Sequence, residues 1–270
     1  MPTCQVCGRM LAPAVRGRPA RYCSRACRAR AYRERVAAKQ QEVAEPTEEA
    51  GAALTVDRVV RAAIALADRE GGAGPSMRRT AAELGVGVMS LYRYVPGKEE
   101  LGGLMIDAVF GDHPLPEPGP PGWRAKLELS AHQEWDIYRE HPWVPQLFAI
   151  TTRPPAAPRM MGYTDWRIRA VDGLGLDFPT MVRIAIMVST HTQSAAYPLA
   201  RERYASDTRE QWMDARSSKV QEIFASGELP MIARFDADAF DASQPQSIFD
   251  FGLRCLLDGV AKIVPDRATA

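Results

Sequence analysis

The stretch Gly85-Val86-Gly87-Val88-Met89-Ser90-Leu91-Tyr92-Arg93-Tyr94-Val95-Pro96-Gly97-Lys98-Glu99-Glu100-Leu101 decides the fold of this chain. Gly85 suits the left-handed backbone that terminates a helix. Residues 87–95 then read as a second short helix, stopped by Pro96-Gly97, and Lys98 begins a third. Upstream, Ser76 can cap a short helix over 77–84 by accepting a backbone N–H of its first turn. Two short helices around a glycine-containing turn form a helix-turn-helix, which lowers its second helix into the major groove of DNA. Taken singly, Tyr92, Tyr94 and Val95 would be ordinary packing residues; the ordered segment between breakers carries the reading.

Before this unit, Leu54-Thr55 opens a helix whose apolar positions Val59, Ala62, Ala63, Leu66 and Ala67 recur at spacings of three and four. It stops at Gly71-Gly72-Ala73-Gly74-Pro75. After it, prolines 114, 116, 118, 120 and 121 form a stiff loop, and from Trp123 to Val264 apolar residues recur at helical spacing without strand-like alternation. The expected fold is all-α. A helix-turn-helix domain (54–111) precedes a helical ligand-binding and dimerisation domain (123–264). In front lie a small cysteine module with a basic helix (1–40) and an acidic linker (41–53).

The segment at 85–101 resembles the recognition region of the tetracycline-repressor (TetR) family, through Leu-Tyr-x-x-Val-x-x-Lys-x-x-Leu and the preceding Ala81-Ala82-Glu83-Leu84-Gly85-Val86. Tyr138-Arg139-Glu140-His141-Pro142-Trp143 is similar to the start of that family's ligand domain. The resemblance implies DNA contacts at Met77, Arg78, Val88, Met89, Ser90, Tyr92, Tyr94 and Lys98. Arg78 can address a guanine edge or a phosphate, and Ser90, Tyr92 and Tyr94 can donate to phosphates or bases. Lys98 joins its charge to a helix N-terminus. Two departures from the pattern stand out: Thr80 replaces an aliphatic residue, which weakens packing, and Val88 and Met89 offer only apolar contacts, leaving thymine methyls and DNA shape to be read.

Cys4-x2-Cys7 and Cys23-x3-Cys27 have the spacing of a zinc ribbon or treble clef, in which each pair supplies two thiolates to a tetrahedral, structural zinc. Disulfides or free thiols are the alternative. A segment this short would draw much of its folding energy from the metal. Residues 1–40 hold ten Arg/Lys against one acid, a charge of +9, whereas the other 230 residues hold 24 basic and 32 acidic groups, a charge of −8. On the helix after the cysteines, Arg25, Arg28, Arg35 and Lys39 share one sector, a stripe that can track phosphates beside an operator.

Residues 246–264 are apolar around nearly the whole helix, leaving Asp250, Arg254, Asp258 and Lys262 as a narrow polar strip; Cys255 reads as core. Residues 180–197 have the same character. Two helices needing a second partner point to a homodimer, whose twofold axis suits a palindromic operator. Trp135, Tyr138, Trp166, Met187, His191 and Gln193 are candidate lining groups for a small hydrophobic or aromatic effector.

The function these features imply is a ligand-responsive regulator of transcription, a repressor of the TetR type that grips double-stranded operator DNA and is released by its effector. An alternative is a zinc- or thiol-based sensor acting through Cys4, Cys7, Cys23 and Cys27. An enzyme fits less well: His-Glu-x-x-His, Gly-x-Ser-x-Gly and P-loop motifs are lacking. No apolar run approaches the ~18 residues of a membrane span, and the N-terminus is not a secretion signal, so a cytoplasmic location without membrane partners is expected.

Overall fold

The computed structural model describes residues 3–11, 21–31, 54–71, 76–150, 156–205, 211 and 214–265, excepting the side chains of 149 and 150. The linker 41–53, the breakers at 72–75, and Arg35 and Lys39 lie outside the described residues. The chain divides into two units, residues 1–54 and 55–270. Among the described residues there is no strand beyond an isolated bridge between Thr3 and Met10, and no helix is long and apolar enough to cross a membrane.

The larger unit begins with α1 (Val56–Glu70), capped by Thr55, whose side chain accepts from the Arg58 N–H. Its apolar stripe buries Val59, Val60, Ala63, Ile64, Leu66 and Ala67. Then come α2 (Met77–Glu83), α3 (Val88–Leu91) and α4 (Lys98–Asp112). Ser76 caps α2 by accepting from Arg79 N–H. At the other end Gly85 has φ +66°; the N–H groups of Gly85 and Val86 return to the carbonyls of Ala82 and Ala81. Those paired bonds close a helix end of the Schellman type and set the turn between α2 and α3.

The second helix of the motif is shorter than residues 87–95. It is regular only over Val88–Leu91, and Arg93 and Tyr94 donate three residues back, to Ser90 and Leu91. Gly87 offers no side-chain cap, and Pro96 disfavours the helical conformation just before it.

The body contains α5 (Trp123–Glu140), α6 (Trp143–Ile150), α7 (Pro158–Ala170), α8 (Phe178–Ala196), α9 (Leu199–Tyr204), α10 (Ser217–Ala225), α11 (Ala237–Ala242) and α12 (Pro245–Ile263). Helix α4 belongs to both parts: it packs on α1 on one side and on α7 on the other. It accordingly buries residues around most of its circumference, including Leu101, Met105, Ile106, Val109 and Phe110. Helix α8 lies at the centre of the body, against α5, α7 and α12.

Thr80 is fully buried, and its hydroxyl finds no hydrogen-bond partner among the described residues. The departure from an aliphatic residue thus leaves a desolvated polar atom inside the head, a cost of about 1–3 kcal/mol. Thr80→Val, nearly the same shape without the hydroxyl, is expected to stabilise the chain by about 1 kcal/mol, raising the thermal midpoint by roughly 2–4 °C. A lower midpoint in calorimetry contradicts this.

Candidate nucleic-acid interface

Helix α3 and the turn after it separate their residues by burial. Leu91 and Val95 are 0% exposed, whereas Met89, Tyr92 and Tyr94 are 78%, 45% and 38% exposed. Arg78, Arg93 and Lys98 are exposed as well, and Val88 and Ser90 are half-buried beside them. Lys98 opens α4 after Gly97, so its charge sits at that helix's positive end. Met77 needs correction as a DNA contact. Its side chain is 7% exposed, because the first residue of α2 faces inward together with Thr80 and Ala81; it supports the motif from below. The neighbouring Arg79 pairs with Glu70, and Arg69 makes a two-pronged bond to Glu83, 2.9 and 3.2 Å. These pairs tie α1 to α2.

The head is held to the body at Asp68 of α1. One of its carboxylate oxygens accepts from His141 Nδ1 at 2.8 Å and from Trp143 Nε1 at 2.7 Å. His141 and Trp143 form the corner between α5 and α6. Tyr204 at the end of α9 donates to the carbonyls of Ala67 and Asp68, and Arg61 of α1 grips Asp112 at the end of α4 with both terminal guanidinium nitrogens. That pair holds the Asp112 carboxyl below its usual range, chiefly through the hydrogen bond from Arg61.

Inside the body, Arg167 and Glu134 form a buried ion pair at 2.5 Å. Arg167 also donates to the hydroxyl and carbonyl of Ser130. The other oxygen of Glu134 accepts from Tyr138 at 2.5 Å and Ser189 at 2.9 Å. Burial, then the negative charge of Glu134, pushes the Tyr138 hydroxyl well above its ordinary value, so it stays a donor. This network joins α5, α7 and α8. Sequence reasoning missed it, although a charged pair on faces otherwise apolar is its trace.

The six candidate lining residues fall into separate places. Tyr138 belongs to the buried network. Trp166 is buried and donates to the Pro116 carbonyl. Trp135 stacks on Phe249 of α12 with centroids 4.5 Å apart, and His191 lies parallel to the same ring and bonds its carbonyl at 2.9 Å. Met187 and His191 line an open groove between α8 and α12, and Gln193 is half-buried nearby in sequence. The groove is lined by exposed Ile186 and Ile263 and by Cys255. Cys255 is therefore exposed rather than core: α12 buries Phe249, Leu253, Leu257 and Val260, and Cys255 follows Leu253 by two residues, on the opposite face.

In the smaller unit, residues 25–31 are helical and expose Arg25 and Arg28. The sulfurs of Cys4, Cys7, Cys23 and Cys27 all lie within 4.8 Å of one another, with Cys7–Cys23 at 3.4 Å and Cys23–Cys27 at 3.6 Å. Gly8, at φ +72°, turns the chain after the first pair. The Val6 N–H, foremost, holds the Cys4 thiol down to about 6, while the thiol hydrogen bond to Cys7 and crowding by the other sulfurs push Cys23 up to about 12.

Residues 115–264 match the family described as the tetracyclin repressor-like C-terminal domain. The chain is 40% identical to the HTH-type transcriptional repressor DrrR1 of Streptomyces coeruleorubidus over 221 residues, 79% of this chain and 80% of that protein. With the tetracycline repressor protein class A from transposon 1721 of Escherichia coli it shares 28% identity over 215 residues, 77% of this chain and 91% of that one. The fold is similar to that of Streptomyces coelicolor ActR in complex with actinorhodin, at TM-score 0.65 and 23% identity over 80% of this chain and 100% of that one.

The Arg167–Glu134 pair has a stability signature. Arg167→Met alone leaves an ionised carboxylate buried without its partner and is expected to cost about 3–5 kcal/mol, whereas joining it to Glu134→Leu recovers most of that loss. Equal losses in single and double variants on denaturant unfolding would contradict the pairing.

Proposed function

The chain belongs to the tetracycline-repressor family of transcriptional regulators, and we propose that it is a ligand-responsive repressor that grips a palindromic operator in double-stranded DNA as a homodimer. The observation that carries this reading is the division of α3 and the turn after it between buried Leu91 and Val95 and outward Met89, Tyr92 and Tyr94. Packing fixes the helix and leaves those side chains for the major groove. Arg78 addresses a guanine edge or phosphate, Ser90, Tyr92 and Tyr94 donate to bases and backbone, and Lys98 neutralises a phosphate. Val88 and Met89 supply apolar contact to thymine methyls.

The second copy docks on the α8–α12 groove. Ile186 and Met187 of α8 and Ile263 of α12 are exposed there, an apolar face of the kind that marks an interface. A twofold axis sets the same groove against itself. The effector is a small hydrophobic or aromatic molecule received among α5, α7 and α8, with Glu134, Arg167 and Ser189 as polar points. ActR, which shares the fold, was solved with actinorhodin. Displacement of the α5–α6 corner moves Asp68, and with it the spacing of the two α3 helices.

The four cysteines hold a structural zinc. Their sulfur separations of 3.4 and 3.6 Å approach the about 3.8 Å edge of a tetrahedron with zinc–sulfur bonds near 2.3 Å. Arg25 and Arg28, with Arg35 and Lys39 farther along, add phosphate contacts beside the operator.

Replacing Arg78 and Tyr92 together by alanine is expected to abolish discrimination among duplex sequences in a fluorescence-anisotropy assay, while the thermal midpoint stays within a few degrees. Undiminished discrimination sinks the operator reading. For the metal, Cys7→Ser with Cys23→Ser should lower the zinc content of the purified chain by one atom per chain, measured by atomic absorption; unchanged content refutes the thiolate site.

A further inference from the structure

Two helices end at one place beside the joint between head and body. His113 follows the last residue of α4, Glu140 is the last residue of α5, and His141 follows it. The ligand atoms of these three residues lie within 4.8 Å of one another. One Glu140 oxygen is 3.4 Å from His113 Nε2, and the other is 3.8 Å from His141 Nε2. The other ring nitrogen of His141, Nδ1, donates to Asp68 of α1 at 2.8 Å.

That last bond gives the cluster its direction. A carboxylate can only accept, so the Nδ1 hydrogen is committed to Asp68, and Nε2 is the ring nitrogen that faces Glu140. Imidazole ligands of zinc and related ions are oriented by this same arrangement, with the outer carboxylate fixing the tautomer and raising ligand basicity. Two imidazoles and a carboxylate form a borderline-soft donor set suited to zinc, cobalt or nickel, with a fourth tetrahedral position left for water. The side chains of His113 and Glu140 are 30% and 59% exposed and that of His141 is 9% exposed, so an ion can enter from solvent and be anchored from within.

We propose that His113, Glu140 and His141 bind a divalent transition-metal ion, with Asp68 as the positioning residue for His141. The site is separate from the four thiolates and does not depend on them. An ion here ties the end of α4 to the end of α5 and, through Asp68, both to α1, so metal occupancy acts on the joint that carries the reading head.

The test is a calorimetric zinc titration of the full-length chain with Cys4, Cys7, Cys23 and Cys27 all changed to serine, which removes the thiolate site from the count. The expected result is one saturable ion per chain. His113→Ala and Glu140→Gln, both partly exposed, should each weaken binding by at least about 10-fold, and Asp68→Asn by about 10–100-fold. In the intact chain, a second equivalent of cobalt should add weak visible bands without thiolate charge transfer, and His113→Ala should remove them. The proposal is overturned by no saturable zinc binding in the serine variant, by binding that His113→Ala and Glu140→Gln leave unchanged, or by a second cobalt equivalent that adds no bands.

Discussion

The Asp68 carboxylate is the point on which the architecture turns. It lies near the end of α1 and receives hydrogen bonds from both His141 and Trp143, so one side chain of the head fixes the corner between two helices of the body. Tyr204 closes over the same turn of α1 through the carbonyls of Ala67 and Asp68. The Arg61–Asp112 pair then binds the start of α1 to the end of α4. Because α1 is tied to α2 by Arg69–Glu83 and Arg79–Glu70, and α2 to α3 by the Gly85 turn, a shift at the corner has a continuous path to the exposed face of α3. Packed helices move as units, which is how a small displacement becomes a change of spacing.

The interior of the body raises a second physical question. A salt bridge removed from water rarely adds net stability over apolar residues of similar volume. Here Glu134 and Arg167 are satisfied by Ser130, Tyr138 and Ser189. The network fixes how α5, α7 and α8 meet and leaves a charged, hydrogen-bonding patch in the middle of an otherwise hydrophobic bundle. An arrangement that specifies orientation at little gain in stability is what a domain needs if a ligand is to shift it between two packings.

The head was legible in the sequence because its signals are local. Thr55 and Ser76 cap, Gly85 turns, Pro96-Gly97 stops, and the apolar spacing of α1 repeats within a few residues. The amphipathic excess at α8 and α12 was legible for the same reason: a helix apolar on two faces declares a need for two partners. What escaped were pairings across long separations. Asp68 and His141 are 73 residues apart, and Glu134 and Arg167 are 33 apart; nothing in their neighbourhoods says that they meet. Met77 and Cys255 failed differently. Met77 was assigned by its place in the family's pattern and Cys255 by its company along the chain, while the side each faces depends on one or two positions of helical phase.

The proposed function calls for a dimer that seats two α3 helices in successive major grooves. Selection of the purified full-length protein against a random duplex pool, followed by sequencing of the retained fragments, tests it most directly. The account predicts enrichment of an inverted repeat whose half-site centres lie about one helical turn or a multiple of it apart. Retained fragments with no shared sequence, or a lone half-site with no symmetric mate, would contradict it.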